Sequence, residues 1–435
     1  MLLVSVPLKT GEPDPEQTQP FTVHEARLPS DHPNYRPRHA AKQRLALVCS
    51  VIFFLGPLAG LAVFGQPPAI ENRPLHPFPS LSQGWGFFSG LVPWAVDNLS
   101  FRNSAIQAND QISRGVFGEP PALGSSGTDA APGGIQAPPQ QAAVFPQVIE
   151  GNNGWMYYGE DMRAKCQPNA SLDAVMQSVL RLKDDVVGSG RRFVLVVPPD
   201  KSTIEPQNLP SQYEGKDCAK KLSDQFWPRI VKEAGAIDLR GAVHAAEKQI
   251  GGPVYFPQDS HWTFVGGFLM TRAVADSIVP GIDSTWKVAK GQSYSGPADL
   301  PPLIGRTGVD TTDRLTLAPD GTTDRTFQDS FDARNVLTFH NPADVKGTVG
   351  GTTTWIGDSF TTWATPSIAA AFQNVSVVQG AKLLSDPAAV AQLMVDSDTV
   401  VVEMVERGIA PGISVELDPK VLDTLTKAMA THPRR

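Results

Sequence analysis

Two short motifs contain the residue types that acyl-transfer chemistry needs. The first, Trp355–Phe360, has the sequence WIGDSF and lies between a β-branched run and a predicted helix. This pattern predicts that Ser359 lies in a strand-to-helix turn, at the strand end where open α/β sheets place their active sites. There its hydroxyl is accessible and its backbone N–H is able to stabilise an oxyanion. A Gly-Asp-Ser triplet is also common in ordinary turns, with Asp358 and Ser359 as capping residues.

The second motif is Asp259-Ser260-His261-Trp262, within FPQDSHWT. In an extended segment residues i and i+2 point to the same side, so Asp259 is placed to orient the His261 ring. A serine nucleophile needs a base to take its proton, and the base needs a partner that fixes its tautomer. Asp259, His261 and Ser359 supply these three roles. Two alternatives are a structural histidine beside an aromatic residue and a metal site; because no second cluster of histidines and carboxylates is evident, we predict no metal.

Four further residues are weaker candidates for binding a substrate. Lys201 and Arg407 each follow a predicted strand, and either would hold an anionic polymer or the acetyl oxygen; a surface salt bridge explains each equally well. Asp358 either contacts substrate or fixes its turn through backbone hydrogen bonds. Trp262, with Trp155 and Trp363, is a candidate for stacking on sugar rings, although tryptophans are mostly buried by packing.

Composition and charge exclude several classes of protein. The net charge of −7 argues against a nucleic-acid-binding surface, which would be basic. The 3 cysteines exclude a disulfide-rich scaffold and a cysteine cluster that holds two or more metals.

One uncharged stretch, Leu45–Phe64, is long enough to span a bilayer of about 30 Å. The segment before it is basic, so the positive-inside rule puts the N-terminus in the cytoplasm and the bulk of the chain outside. We therefore predict a single membrane anchor over residues 45–65. A cleaved signal peptide and a buried core helix are the alternatives. Because an extracytoplasmic compartment permits disulfides, Cys166 and Cys218 are predicted to pair; the alternative is two separate thiols.

Alternating strand and helix signals predict an α/β fold with a mostly parallel sheet and flanking helices. The predicted strands are Gly154–Tyr158, Phe193–Val197, Ala236–Leu239, Thr353–Ile356 and Thr399–Val402, and the predicted helices are Ser171–Val187, Leu222–Ala234, Thr263–Ile278 and Thr365–Phe372. For residues 281–350 the sequence pattern predicts no definite secondary structure. The predicted segments are a disordered tail (1–44), the anchor (45–65), a juxtamembrane helical region (66–117), a Pro/Gly-rich linker (118–143), a catalytic domain (144–410) and a C-terminal helix or tail (411–435).

Taken together and in this order, the motifs resemble the AlgJ/AlgX-like family of alginate O-acetyltransferases, whose catalytic domain is similar to SGNH hydrolases. Asp259 and His261 precede Ser359, whereas the nucleophile comes first in ordinary SGNH hydrolases, and this permuted order is the one the family shows. The matching motifs are Asn72–Leu75 with Asn98 and Arg102, Val148–Gly151 with Gly154–Tyr158, Pro198 with Lys201 and Pro206, Asp259–Thr263, and Gly357–Phe360.

The resemblance implies an SGNH-hydrolase-like (flavodoxin-like) fold with Ser359 as nucleophile, His261 as general base and Asp259 as the residue that orients it. It implies a membrane-anchored extracytoplasmic enzyme that transfers acetyl groups to an exported polysaccharide or cell-wall glycan, without a cofactor. A multi-pass membrane O-acyltransferase is the predicted acetyl-donor partner. A carbohydrate esterase would use the same triad, and a non-catalytic glycan-binding or assembly subunit would retain the same fold. Residues 408–435 are too few for a separate carbohydrate-binding domain, so the acceptor glycan is not inferred.

Overall fold

The computed structural model of the protein describes residues 41–66, 75–98, 102–118, 145–329, 331 and 334–434. The predicted tail up to residue 40, the motif residues 72–74 and most of the predicted linker lie outside these ranges. The described chain divides into two compact units, one holding the residues up to 102 and the other those from 103 onward.

The first unit contains the helices α1 (Ala41–Phe64) and α2 (Gly86–Asn98). The segment before α2 is tied to the end of that helix, because the backbone N–H of His76 donates to Asp97 Oδ2 at 3.1 Å and Asn98 Nδ2 donates to the His76 carbonyl at 2.9 Å. Helix α1 covers the predicted anchor. Among the described residues, however, no helix combines the length and the apolar character that crossing a membrane requires, so the predicted transmembrane helix is not supported.

The second unit is built on ten strands and twelve helices within the described residues, and its first helix begins at Arg102, the last residue of the first unit. The strands are β1 (Val148–Glu150), β2 (Met156–Tyr158), β3 (Arg192–Val197), β4 (Ile237–Asp238), β5 (Lys287–Pro297), β6 (Val309–Ala318), β7 (Leu337–His340), β8 (Val349–Gly357), β9 (Phe372–Gln379) and β10 (Thr399–Glu403). The helices are α3 (Arg102–Ile112), α4 (Glu160–Cys166), α5 (Leu172–Gly188), α6 (Lys201–Ile204), α7 (Lys216–Arg229), α8 (Arg240–Ile250), α9 (Phe264–Ile278), α10 (Phe360–Ala371), α11 (Gly380–Ser385), α12 (Pro387–Asp396), α13 (Glu406–Ile409) and α14 (Pro419–Thr431).

A six-stranded sheet in the order β4-β3-β10-β8-β9-β7 forms the centre of this unit. All neighbouring pairs are parallel except β7 with β9, so the predicted mostly parallel α/β sheet is confirmed. Successive residues of β3 point to opposite faces: Val194 and Val196 join one hydrophobic core, and Leu195 and Val197 join the other. Because both faces are covered, the strand is apolar at every one of these positions rather than at alternate ones.

Most predicted elements agree with the observed ones to within a few residues, and two helices differ at a proline. Helix α7 begins at Lys216, six residues before the predicted start, and holds Pro228 in its interior; the chain then continues as a π-helix, Ile230–Ala234. Proline removes one backbone donor, and a switch to wider hydrogen bonding accommodates that loss. Helix α10 begins at Phe360 rather than near Thr365, so Pro366 lies inside it.

The region without a prediction, residues 281–350, forms an antiparallel hairpin of β5 and β6 and the edge strand β7. The C-terminal segment is more than a tail, because Leu422, Leu425 and Met429 of α14 belong to the second core. Two of these helices begin at a side-chain N-cap: the Ser171 hydroxyl accepts from the N–H of Ala174, and that of Thr263 accepts from the N–H of Val265.

Candidate active site

Strand β8 delivers the Gly-Asp-Ser motif to the carboxyl edge of the sheet. The strand ends at Gly357 and α10 begins at Phe360, so Ser359 lies in the turn between them. Asp358 fixes this turn: its Oδ1 accepts from the N–H of Phe360 at 2.9 Å, and its Oδ2 accepts from the N–H of Val405 at 2.8 Å. Both carboxylate oxygens are engaged with backbone, which favours the turn-fixing interpretation of Asp358 over direct contact with substrate.

The buried side chain of Glu403 also fixes the turn that contains Ser359. Glu403 Oε2 accepts from the N–H of Asp358 at 2.9 Å and from the Thr361 hydroxyl at 2.8 Å. A Cβ at position 357 would lie 2.5 Å from this oxygen, which explains the glycine there. Burial, aided by the charge of Asp358, raises the pKa of Glu403 well above its ordinary value.

The Asp-Ser-His motif lies in a tight loop rather than in an extended strand. Tyr255 and Trp262 form a β-bridge at its base, and the N–H of Phe256 donates to the His261 carbonyl at 3.2 Å. Within the loop, Asp259 Oδ1 accepts from the backbone N–H of His261 at 2.9 Å. This side-chain-to-backbone bond closes a local turn of the kind that aspartate favours. The turn, and not strand alternation, brings the two side chains together.

The structure brings Asp259, His261 and Ser359 into one chain of hydrogen bonds. His261 Nδ1 lies 2.7 Å from Asp259 Oδ1, and His261 Nε2 lies 2.7 Å from Ser359 Oγ. With the Nδ1 proton directed at the carboxylate, Nε2 of the neutral ring accepts from the serine hydroxyl. This is the arrangement in which a histidine removes the proton of a serine nucleophile.

The charges around His261 favour its protonated form. Burial lowers the pKa of the ring, but the charges and hydrogen bonds of Asp259 and Asp299 raise it, and the balance raises the pKa from 6.5 to about 9. Burial raises the pKa of Asp299, whereas hydrogen bonds from His261 and Ser260 lower it, and the net pKa lies below its ordinary value. The ring is therefore a stronger base than a histidine in water.

Ser359 and His261 open onto a pocket of about 170 Å³. Its lining residues are Tyr158, Ser260, His261, Asp299, Leu300, Ser359 and Arg407. Arg407, which follows β10, lines it together with His261 and Ser359. Its Nη1 is buried and makes no hydrogen bond within the described residues; it lies 3.6 Å from Asp161 Oδ1, the distance of a loose ion pair. A buried donor without an acceptor, at the wall of the pocket, is suited to an oxygen atom of a bound ligand.

A buried ionic network fixes the chain that carries Arg407. Lys165 Nζ lies 2.7 Å from Asp200 Oδ2 and 2.7 Å from Glu406 Oε1, and all three residues are almost fully buried. Asp200 Oδ1 also accepts from the backbone N–H of Arg407 at 3.0 Å. Burial lowers the pKa of Lys165, but the two carboxylates raise it further, so the net pKa is raised and the lysine stays charged.

The disulfide lies beside this network. Cys166 is bonded to Cys218, with their Cα atoms 5.1 Å apart, and it directly follows Lys165 at the end of α4. The bond joins α4 to α7. Helix α7 also supplies Ser223, whose hydroxyl donates to Glu406 Oε1 at 2.6 Å. Both helices held by the disulfide therefore contribute side chains that hold Glu406.

Lys201 lies outside the pocket, contrary to its proposed contact with substrate. Its ammonium is buried and donates to the carbonyl of Met156 at 2.6 Å, to that of Pro257 at 2.7 Å and to that of Asp259 at 3.1 Å. All three ammonium protons are thus used within the protein. Burial is the main cause that lowers the pKa of Lys201, to about 8. Its position indicates that it ties the loop of Asp259 and His261, called the catalytic loop below for its proposed role, to β2.

The tryptophans pack inside the protein rather than along the pocket. Trp262 is fully buried, and its indole N–H donates to the Phe360 carbonyl at 3.2 Å, which links the loop of His261 to the helix after Ser359. The Trp155 ring faces Lys201 Nζ at 4.9 Å. Trp363 packs against Phe256, with ring centroids 4.8 Å apart. The structure therefore offers no support for the sugar-stacking interpretation of Trp262.

Donor atoms of Asp259, His261 and Asp299 lie within 4.8 Å of one another, a spacing compatible with a metal ion. The donors are, however, already used in hydrogen bonds: His261 Nδ1 with Asp259, and the Asp299 oxygens with Ser260. No other cluster of this kind occurs in the described ranges. The geometry thus favours a hydrogen-bonded acid-base site over a metal centre.

Sequence reasoning missed three residues that line the pocket. Asp299 and Leu300 lie in the region without a prediction, within the turn-rich sequence GPADLPP, where no periodicity marks a functional residue. Tyr158 was predicted only as the end of a strand. The one available signal was that Asp299 is an acidic residue among apolar residues and prolines. Only the fold brings it to His261.

Comparison with known proteins supports the resemblance derived from the motifs. Residues 148–329 match the family described as "SGNH hydrolase-like domain, acetyltransferase AlgX". This part of the chain is similar to an AlgX-type SGNH hydrolase-like domain. The matched range contains Asp259, His261 and Asp299 but ends before Ser359, so the assignment of the serine depends on geometry and on its own motif.

The curated relatives are probable alginate O-acetylases AlgJ. That of Azotobacter vinelandii is 25% identical over 140 residues, which cover 31% of this chain and 34% of that protein. That of Pseudomonas putida is 25% identical over 142 residues, with the same shares of 31% and 34%. The match thus spans only about a third of the length of these relatives.

Two solved structures are similar to part of this chain. The O-acetyltransferase domain of Pseudomonas putida AlgJ is 18% identical, with a TM-score of 0.45 over 65% of this chain and 99% of that one. Pseudomonas aeruginosa AlgX is 15% identical, with a TM-score of 0.42 over 62% of this chain and 65% of that one.

The buried ammonium of Lys201 provides a test of how the catalytic loop is held. Lys201→Met leaves three buried carbonyl groups without their donor, so we expect the free energy of unfolding to fall by about 1–3 kcal/mol. Lys220→Met is the control, since Lys220 makes only an exposed ion pair with Asp224 and should change stability little. Urea unfolding followed by circular dichroism measures both. Equal unfolding midpoints for the two variants would show that Lys201 does not hold the loop.

Proposed function

We propose that this chain is an O-acetyltransferase that moves an acetyl group to a polysaccharide hydroxyl through an acetyl-serine intermediate on Ser359. The observation that carries the proposal is the continuous hydrogen-bond chain from Asp259 through His261 to Ser359, which opens onto a pocket. The AlgJ/AlgX-like domain supports the same reaction class, and the names of the curated relatives indicate O-acetylation of a polysaccharide.

The first half-reaction acylates the serine. His261 Nε2 takes the proton of Ser359 Oγ as this oxygen attacks the carbonyl carbon of the donor ester, so an O–C bond forms and the carbonyl oxygen becomes negative. His261, now doubly protonated, then gives that proton to the leaving oxygen as the C–O bond of the donor breaks. Asp259 stabilises the imidazolium between these steps.

The second half-reaction reverses the roles. A sugar hydroxyl enters, loses its proton to His261 Nε2 and attacks the acetyl carbon, after which the protonated ring returns the proton to Ser359. If water enters instead, the product is acetate and the enzyme acts as an esterase. The two reactions use the same residues, so the nature of the acceptor decides between them.

The oxyanion has two candidate donors. The N–H of Ser359 precedes α10, in the region where a helix supplies no internal acceptors. The Arg407 guanidinium lines the same pocket, and its Nη1 donates no hydrogen bond within the described residues. Preorganised donors of this kind stabilise the charge that develops in the transition state. We assign stabilisation of the oxyanion to Arg407, rather than binding of an anionic polymer.

The disulfide supports a location in an oxidising, extracytoplasmic compartment, because such bonds rarely persist in the cytosol. There the acceptor is an exported polysaccharide or cell-wall glycan. The acetyl donor is then proposed to come through a multi-pass membrane O-acyltransferase, as the family resemblance implies.

The nucleophile is tested with Ser359→Ala. We expect this variant to fold normally and to lose acetyl transfer from an activated acetyl ester to oligosaccharides by about a thousandfold or more, since no other group replaces the attacking oxygen. Ser385→Ala is the control, because Ser385 is an exposed residue at the end of α11. Mass spectrometry of the sugars measures transfer, and acetate release measures hydrolysis. Acetylated sugar formed by Ser359→Ala at the wild-type rate would contradict the assignment.

The raised pKa of His261 gives the reaction a predicted pH dependence. The neutral ring is the base, and the ring loses its second proton only as the pH approaches its pKa of about 9. The value of kcat/KM should therefore rise with pH through the neutral range, reach half its limit near pH 9 and level off above it. Initial rates with the activated ester, corrected for its spontaneous hydrolysis, give the profile. A plateau that is already complete near pH 6 would show that His261 is not the base in this protonation state.

A further inference from the structure

A second carboxylate reaches the catalytic loop from a different part of the chain. Asp299 lies in the bend after β5, and its side chain contacts the loop at Ser260. Its Oδ1 accepts from the N–H of Ser260 at 2.7 Å, and its Oδ2 accepts from the Ser260 hydroxyl at 2.6 Å. The backbone N–H of Asp299 in turn donates to Asp259 Oδ2 at 3.2 Å. One residue thus contacts two successive members of the motif.

The same carboxylate lies beside the catalytic ring. Asp299 Oδ2 is 3.4 Å from His261 Nδ1, which also lies 2.7 Å from Asp259 Oδ1 and 3.4 Å from Ser260 Oγ. The Asp299 side chain is 16% exposed and lines the pocket with Ser359. The Nδ1 proton is therefore placed between two carboxylates, the nearer of which forms the stronger hydrogen bond.

We propose that Asp299 is a positioning residue of the acyl-transfer site, which fixes the turn from Asp259 to His261 and supplies a second negative charge beside the His261 ring. The inference rests on the proposed function. Asp299 fixes the turn from a neighbouring segment, through two hydrogen bonds with Ser260 and one with Asp259 Oδ2. Asp259 Oδ1 fixes it within the motif, through its bond with the His261 N–H. When Ser359 gives up its proton, the positive ring is then stabilised by two carboxylates rather than one.

Within the described residues, Asp299 is the carboxylate, besides Asp259, that contacts the His261 ring. Ser359 faces Nε2, and the Phe360 ring packs against the imidazole with centroids 5.1 Å apart. The remaining titratable or charged groups of the pocket and of the Asp259 surroundings are Tyr158 on β2, Lys201 on α6, Tyr294 on β5, Asp310 on β6 and Arg407 on α13. Of these, the cations Lys201 and Arg407 would oppose protonation of the ring.

The charge is tested with Asp299→Asn in the full-length protein. The amide retains an oxygen that accepts from the N–H of Ser260 but carries no charge, so the pKa of His261 should fall by about one unit. The acidic limb of the kcat/KM profile should move to lower pH by the same amount, with a reduced plateau. Asp313→Asn is the matched control, since Asp313 lies on the neighbouring β6 and pairs with Lys290 in an exposed ion pair.

The second variant, Ser260→Ala, separates charge from packing. It removes the hydroxyl that donates to Asp299 Oδ2 but leaves the carboxylate in place, so the pKa of His261 should not fall, while kcat decreases because the turn is held less firmly. The pKa is read directly by NMR titration of the histidine ring signals, and the His261 signal is identified by its loss in His261→Gln. This reading does not depend on turnover.

The outcomes are distinguishable. A fall of the His261 pKa in Asp299→Asn but not in Ser260→Ala or Asp313→Asn, together with the shifted rate profile, is the expected result. An unchanged pKa in Asp299→Asn would overturn the inference whether or not the protein is an enzyme. A lowered pKa in a protein whose wild type shows no turnover would overturn the catalytic role of Asp299 and the proposed function together, and would leave only its contact with the ring.

Discussion

The hydrogen bond between Asp259 and His261 Nδ1 is the interaction on which the rest of the site depends. It joins residues only two apart, at 2.7 Å, and the backbone between them is turned. That turn is held by the Asp259 carboxylate itself, by the Lys201 ammonium on the Asp259 carbonyl, and by Asp299 on Ser260. Because the ring is fixed at Nδ1, its Nε2 has one direction available, and Ser359 lies in that direction.

Buried charge is the means by which the protein holds this geometry. The catalytic loop is bound by a buried lysine, and the chain around Arg407 is bound by the network of Lys165, Asp200 and Glu406. Removing one member of such a network is costly, since it leaves an uncompensated buried charge. The same principle explains why Lys201 is absent from the pocket. Its charge is used for positioning, and Arg407 is the cation that remains available to the pocket.

Local sequence patterns predicted the parts of the fold that are determined locally. The apolar runs of β3 and β10 follow from burial on both faces, and the turn at Ser359 follows from a strand that ends in Gly-Asp-Ser. The pairing of His261 with Ser359 could be proposed only from chemistry. A serine nucleophile needs a base and a residue that orients the base, and the two motifs supply one residue for each role. Asp299 could not be predicted, since its contact depends on how the segment after β5 folds back. The expected helix across a membrane is not supported among the described residues, because hydropathy counted along a sequence does not establish a spanning helix.

The most direct test of the account is a search for the acetyl-serine itself. The protein is mixed with an activated acetyl ester, quenched in acid within its first turnover, and digested for peptide mass spectrometry. We expect one added acetyl group on the peptide that contains Ser359, absent from His261→Gln and discharged when an oligosaccharide acceptor is added before the quench. Turnover of the ester without any acetylated Ser359, or with the acetyl group on another residue, would contradict it.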